Sequence, residues 1–162
     1  MTENGVAFEL LPLARLHAHE EVVPEKVRAL AEELRRTGTF VDPIWVARGT
    51  NVILNGHHRT AALRQLGAER IPAWLIDYDG PSVQIDRWTP GPPISKSEVV
   101  RRAQEGALFP PQTTRHRLAV KLPPHPTPLT ELLPSNGGSG PRAQARRAGS
   151  SRRSRAPASP PG

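Results

Sequence analysis

The segment from Val52 to Gly67, with the sequence VILNGHHRTAALRQLG, constrains the fold more than any other part of the chain. It begins with a short apolar run typical of a strand, turns at Asn55-Gly56 and continues with apolar residues at helical spacing. Asn and Gly both tolerate positive φ, and Gly67 suits the left-handed position just past a helix end. The sequence therefore predicts a strand, a glycine turn and a helix in immediate succession.

The predicted helix start carries three polar side chains, His57, His58 and Arg59. Unpaired N–H groups and a partial positive charge make a helix N-terminus a natural seat for an anion, above all phosphate. Adjacent helical residues point about 100° apart, so the two histidines are poorly placed to chelate one metal ion together. The pattern favours a phosphate site over a metal site. We call Gly56–Arg59 the phosphate cradle; a solvated helix start is its structural alternative.

Short apolar runs alternate with amphipathic stretches over the first 118 residues, which predicts an α+β domain. The predicted elements flanking the central segment are an edge strand at Phe8–Leu16, a helix from Pro24 to about Arg36, strands at Pro43–Ala47, Ile71–Asp77 and Val83–Trp88, and a third helix from the capping box Ser95–Glu98 to about Gly106.

Beyond Leu118 the apolar periodicity fails. Residues 119–162 hold nine of the 19 prolines, and seven Lys and Arg against Glu131 alone, so most of the net charge of +7 lies there. This composition predicts a folded domain at 6–118 and a disordered tail at 119–162. The chain has no cysteine, no apolar run of membrane-spanning length and no signal-like start, which predicts a cytoplasmic protein.

Two further polar groups lie outside the central segment. His19-Glu20-Glu21 precedes the first helix, where acidic residues by themselves simply favour the helix dipole. Thr113-Thr114-Arg115-His116 follows two prolines, and its hydroxyls, guanidinium and imidazole suit a carboxylate or phosphate ligand.

Together these groups resemble a known family. Asn-Gly-His-His-Arg at 55–59 is similar to the Asp-Gly-His-His-Arg signature of the free L-serine kinases in the ParB/sulfiredoxin superfamily. His19-Glu20 is similar to their His-Glu pair, and residues 111–116 to their Pro-Lys-Thr-Thr-Arg-His motif, with Gln112 in place of lysine. Sulfiredoxins need a cysteine at the central turn, and partition ParB proteins continue into a helix-turn-helix domain. The kinase branch therefore fits best.

The resemblance implies a compact ParB/sulfiredoxin-like domain with a small mixed sheet and about three helices. It implies transfer of a phosphoryl group from ATP or ADP, with Mg²⁺, to the hydroxyl of free L-serine. Glu20 would be the catalytic base, with Asn55 and His57 also in the catalytic group. The implied nucleotide-binding residues are Gly56, His57, His58 and Arg59, and the implied serine-binding residues are Trp88, Thr113, Thr114, Arg115 and His116.

Asn55 is the main departure from the family pattern. It keeps an acceptor oxygen but lacks the charge that would attract Mg²⁺, so another acid such as Asp77 or Glu21 would have to serve. The alternative hypothesis is a non-catalytic, ParB-like module that binds nucleotide or associates with DNA through Arg142–Arg155. A ligand-free structural domain would leave the polar density of the motifs unexplained.

Overall fold

The structure is a computed structural model, and it describes residues 6–134. Its helices and strands are, in chain order, β1 (Val6–Pro12), α1 (Pro24–Thr37), β2 (Thr39–Phe40), β3 (Ile44–Ala47), β4 (Ile53–Asn55), α2 (His57–Gln65), β5 (Arg70–Ile76), β6 (Val83–Arg87), α3 (Lys96–Glu105), β7 (Thr114–Leu118) and β8 (Thr127–Pro128). The predicted α+β class, with three helices in the described part of the chain, is confirmed.

A four-stranded mixed sheet lies at the centre, in the order β1-β5-β3-β4. β1 is antiparallel to β5, β5 is parallel to β3, and β3 is antiparallel to β4. The parallel pair needs a crossover connection, which β4 and α2 supply. β1 lies at the edge, as predicted, with Pro12 at its last position where a missing N–H is tolerated.

Helices α1 and α2 pack against each other beside this sheet. In α1, Val27, Ala31 and Leu34 are buried, which is the predicted apolar face at helical spacing. The helix ends at Gly38, whose φ of 72° places it in the left-handed region. None of the helices in residues 6–134 is long and apolar enough to cross a bilayer.

The sequence did not predict β7. Pro110 and Pro111, shortly before this strand, argue against a helix, and the residues around them show no strand periodicity, so no sequence signal indicated β7. In the structure β7 pairs with β6 in a separate antiparallel ribbon, in which Arg115 faces Asp86 and His116 faces Ile85. This ribbon brings the C-terminal motif next to the central turn.

The predicted domain boundary at residue 118 is wrong for residues 119–132. The compact unit extends to Leu132, whose side chain is fully buried in the core beside α1 and α2. β8 pairs with β2, and the N–H of Leu129 donates to the carbonyl of Gly38 at 2.8 Å. Pro128 itself lies in β8 opposite Thr39, and the segment is held by a few such contacts that leave no periodicity in the sequence. The rest of the predicted tail, residues 135–162, lies outside the described residues.

Candidate active site

A cavity of about 380 Å³ brings the three sequence motifs together. It opens between the segment before α1, the start of α2, and β7. Its lining residues are Glu20, Leu30, Leu54, Asn55, Gly56, His57, His58, Arg59, Trp88, Gln112, Thr114, Arg115 and His116. Every site residue predicted from the sequence, apart from Thr113, therefore lines one cavity.

The backbone of the His19–Glu21 segment positions Glu20. This segment lies alongside Phe109, whose N–H donates to the carbonyl of His19 and whose carbonyl accepts from the N–H of Glu21, both at 2.9 Å. The two hydrogen bonds form a parallel bridge that turns the Glu20 side chain toward the 112–114 turn. The His19–Glu21 segment thus becomes part of the site through its pairing with Phe109, which is about 90 residues later in the sequence.

The Glu20 carboxylate is buried and accepts three hydrogen bonds. Its Oε1 accepts from the N–H of Gln112 at 3.1 Å. Its Oε2 accepts from the N–H of Thr114 at 2.7 Å and from the Thr114 hydroxyl at 2.5 Å. A buried charge is tolerated when it is hydrogen-bonded in this way, so the site can hold Glu20 ionised. These contacts give Glu20 a fixed place at the cavity, which an acidic residue that only complements the helix dipole would not need.

Each histidine of the phosphate cradle uses one nitrogen for a structural contact. Nε2 of His57 accepts from the N–H of His19 at 3.1 Å, and Nε2 of His58 accepts from the N–H of Val23 at 3.0 Å. Burial lowers the pKa of both imidazoles, and most strongly that of His57, so both rings are neutral. A neutral ring that accepts at Nε2 carries its proton on Nδ1. Both histidines therefore hold the segment before α1 against α2 and retain one N–H each.

The remaining cradle residues have tight steric and polar constraints. Gly56 has a φ of 111°, and an added Cβ would lie 2.3 Å from Cγ2 of Ile44, so no larger residue fits. The Arg59 guanidinium donates to the backbone carbonyl of Asp42 and to Oδ1 of Asn55, the latter at 3.3 Å. Arg59 thus holds the Asn55 side chain at the edge of the cavity.

On the opposite side, Arg115 and Trp88 form a cationic and aromatic surface. The Arg115 guanidinium lies 4.9 Å from the Trp88 ring centroid, and Trp88 is 60% exposed, so it is not a core aromatic. Asp86 holds the guanidinium through two hydrogen bonds, Nε to Oδ1 at 2.8 Å and a terminal nitrogen to Oδ2 at 2.7 Å. The hydrogen bond from Arg115 lowers the pKa of Asp86. Sequence reasoning missed Asp86, because only the β6–β7 register pairs it with Arg115.

The structure separates the last motif into residues with different surroundings. The Thr113 hydroxyl donates to the carbonyl of Pro110 at 2.7 Å, which closes the proline turn and keeps Thr113 out of the cavity lining. Nε2 of His116 lies 2.8 Å from the Tyr78 hydroxyl, and burial lowers the pKa of His116 to about 3. His116 is therefore a neutral wall of the cavity.

Carboxylates are scarce around the cavity. Among residues 6–134, no group of three or more His, Cys, Asp or Glu side chains is placed to hold a metal ion. Glu20 is the one carboxylate among the lining residues, and neither Asp77 nor Glu21 reaches that lining. The substitute acids considered from the sequence are thus not at the site.

Comparison with known proteins finds relatives named as L-serine kinases and as a ParB-like protein. No protein-family model matches the chain. It is 31% identical over 107 residues to an ADP-dependent L-serine kinase of Thermococcus kodakarensis, covering 64% of this chain and 44% of that protein. It is 35% identical over 85 residues to an ATP-dependent L-serine kinase of Staphylothermus marinus, covering 50% and 34%. A ParB-like protein of Sulfolobus acidocaldarius is 39% identical over 85 residues, covering 52% and 42%. The chain thus spans less than half the length of these relatives.

Solved structures identify the fold. The chain superposes on a free serine kinase variant in complex with AMP with a TM-score of 0.71 and 18% identity, covering 79% of this chain and 94% of that one. The chain has the free serine kinase fold. A C-terminally truncated SbnI from Staphylococcus aureus also matches, with a TM-score of 0.64, 13% identity, and coverage of 77% and 88%. The resemblance of the sequence to the free serine kinases and to ParB-like proteins is thereby confirmed.

Proposed function

We propose that the protein is a free L-serine kinase, which transfers the terminal phosphoryl group of ATP or ADP to the serine hydroxyl. The observation that carries this proposal is the meeting of three chemical parts in one cavity. These are a buried carboxylate, Glu20, a helix N-terminus with the phosphate cradle, and the Arg115–Trp88 surface. A hydroxyl kinase needs these parts, namely a proton acceptor, a phosphate seat and an anchor for the acceptor substrate. Three similar proteins named L-serine kinases support the choice of substrate.

In this proposal the nucleotide phosphates bind at the phosphate cradle. The start of α2 offers backbone N–H groups, and Arg59 adds a guanidinium. A second cavity of about 220 Å³ shares Leu30 and Arg59 with the first, and Leu34, Phe40 and Val41 make its wall largely apolar. The flat aromatic base of a nucleoside suits this largely apolar cavity, and the phosphates would then lie toward Arg59.

Serine binds on the other side of the cavity. The Arg115 guanidinium is the natural partner of the serine carboxylate, since two of its N–H groups are taken by Asp86 and others remain. The serine hydroxyl then lies between Glu20 and the phosphates. Catalysis in this arrangement consists mainly of positioning, proton acceptance by Glu20 and neutralisation of phosphate charge.

Mg²⁺ would arrive with the nucleotide. It binds chiefly through phosphate oxygens and water, with one or two protein oxygens. The amide oxygen of Asn55 at the cavity edge fits as such a ligand, and the described residues do not provide a protein-only site. When bound, the ion neutralises part of the phosphate charge.

Purified protein incubated with L-serine, Mg²⁺ and either ATP or ADP is expected to form O-phosphoserine. Asn55→Asp supplies the charge that would attract the Mg²⁺ of the nucleotide, so we expect kcat/KM to rise by about tenfold or more, the equivalent of about 1.4 kcal/mol. Asn51→Asp is the matched control, because it adds the same charge on a turn outside the cavity lining. Lack of O-phosphoserine from both the wild type and Asn55→Asp would contradict the proposed activity.

Asp86→Asn tests the serine-binding side. Asparagine keeps only one acceptor oxygen, so the Arg115 guanidinium loses one of its two fixed hydrogen bonds and the charge of its partner. We expect KM for serine to rise by about fivefold with kcat nearly unchanged. Asp79→Asn, on an exposed turn, is the control. A KM equal to that of the wild type would show that Asp86 does not orient the substrate ligand.

A second candidate function is a nucleotide-binding module that associates with DNA. It is favoured by the similarity to a ParB-like protein and by the basic composition of residues 142–155. We expect such binding to weaken steeply with salt, because it would rest on counterion release. DNA binding that is absent, or unchanged after deletion of residues 135–162, would eliminate this candidate.

A further inference from the structure

The Glu20 carboxylate has two oxygens in different situations. Oε2 accepts two hydrogen bonds, both from Thr114, whereas Oε1 accepts one, from the N–H of Gln112. An ionised carboxylate offers about four acceptor positions in total. Oε2 is therefore saturated, and the one open acceptor position belongs to Oε1.

The direction of the hydrogen bonds around Thr114 follows from its single hydroxyl proton. Its Oγ1 lies 2.5 Å from Oε2 of Glu20 and 2.8 Å from Nε2 of His19. An ionised carboxylate can only accept, so the hydroxyl proton points to Glu20. Thr114 Oγ1 must then accept from His19, which places the proton of a neutral His19 ring on Nε2.

The surroundings of His19 favour a neutral ring. Its side chain is fully buried, and burial lowers its pKa more than Glu20 raises it, so the ring is neutral. Within residues 6–134, Nδ1 of His19 has no hydrogen-bond partner of acceptable geometry, although the nearby Ile53 carbonyl also raises the pKa. The Ile53 carbonyl is the acceptor that the opposite tautomer, with its proton on Nδ1, would use, so the tautomer of His19 is the quantity to measure. The charged and titratable groups that surround the Glu20–Thr114–His19 chain are Lys26, His57, His58, Arg59, Arg115 and His116.

We infer that Thr114 is a positioning residue for Glu20, fixed by His19, and not a ligand of the amino acid. This inference rests on the proposed function for its kinetic part. The His19–Thr114 chain holds Oε2 and leaves Oε1 to take the proton of the substrate hydroxyl. The hydroxyl O–H bond breaks as its oxygen bonds to phosphorus, the nucleotide leaves with the electrons of the broken P–O bond, and the proton resides on Oε1.

Thr114→Val removes the hydroxyl at nearly constant volume. Loss of a hydrogen bond to the charged carboxylate should lower kcat by about ten- to a hundredfold. The fall is expected because the Thr114 hydroxyl no longer holds Oε2 of Glu20 in place. KM for serine should stay within about twofold, and Thr114→Ser, which keeps the hydroxyl, should restore the wild-type kcat. A raised KM with an unchanged kcat would overturn the inference and return Thr114 to the substrate.

A second measurement is independent of activity. Two-bond ¹H–¹⁵N NMR spectra of the full chain, labelled at histidine, should show His19 with its proton on Nε2. A proton on Nδ1 would overturn the inference even if the protein is a kinase. If the wild type makes no O-phosphoserine, the proposed function fails, and the His19 tautomer still decides whether Thr114 is held in this way.

Discussion

Glu20→Gln is expected to lower kcat for phosphoryl transfer by at least about a hundredfold while leaving nucleotide binding within about twofold of the wild type. The amide cannot accept the proton of the serine hydroxyl, and a general base contributes about 10²- to 10⁴-fold to kcat. The nucleotide, in our proposal, binds to the phosphate cradle and the second cavity, which do not depend on the Glu20 charge. The measurement is initial-rate formation of O-phosphoserine, with the dissociation constant of the nucleotide determined by titration calorimetry.

The matched control is Glu21→Gln, which removes an equal charge one residue along, where the side chain is exposed and outside the cavity lining. Because Glu20 also holds the 112–114 turn, Glu20→Asp serves as a second variant that keeps the charge but shortens the reach. We expect it to fold and to retain part of the activity. Full turnover by Glu20→Gln would show that another group accepts the proton.

Leu132→Ala is expected to destabilise the protein by about 2–5 kcal/mol, the usual range for a fully buried leucine truncated to alanine. The side chain packs in the core with Leu34 and Leu63, and its carbonyl accepts from the N–H of Glu69 at 2.8 Å. The expected effect is a lower midpoint in urea unfolding with an unchanged m-value.

Leu133→Ala is the control for this prediction, because Leu133 is the next residue, is only partly buried and is absent from the core cluster. We expect it to cost less than about 1 kcal/mol. Equal effects of the two substitutions would show that the segment before residue 133 is not part of the folded domain, as the sequence alone predicted.

The central turn was predictable because its determinants are local. Asn55-Gly56 followed by a helical pattern has few alternative conformations, and the steric limit at Gly56 enforces the one that forms. The helix that begins at Pro24 was likewise predictable, since an apolar face at helical spacing and a terminal glycine occur in one continuous stretch. Motif resemblance then extended these local signals to Glu20 and the C-terminal motif.

The residues that were missed or misplaced share one property, which is dependence on distant partners. Asp86 matters only because the β6–β7 register sets it opposite Arg115. Leu132 matters only because its side chain, from a proline-rich segment, is buried in the core cluster that also contains residues of α1 and α2. Thr113 and Thr114 are identical in type and adjacent, yet one closes a turn and the other contacts Glu20.

The sequence by itself determined the fold class, the strand–turn–helix with its phosphate cradle, and ten of the residues that line the cavity. Only the tertiary structure decided which donor and acceptor atoms of those residues are already used in hydrogen bonds within the protein. The two cradle histidines each commit Nε2 to a backbone N–H, Arg115 is held by Asp86, and Glu20 is left with one open acceptor position. The physical reason is that residue type and local order specify what a side chain can donate or accept. The partner that uses that capacity is set by chain contacts tens of residues apart.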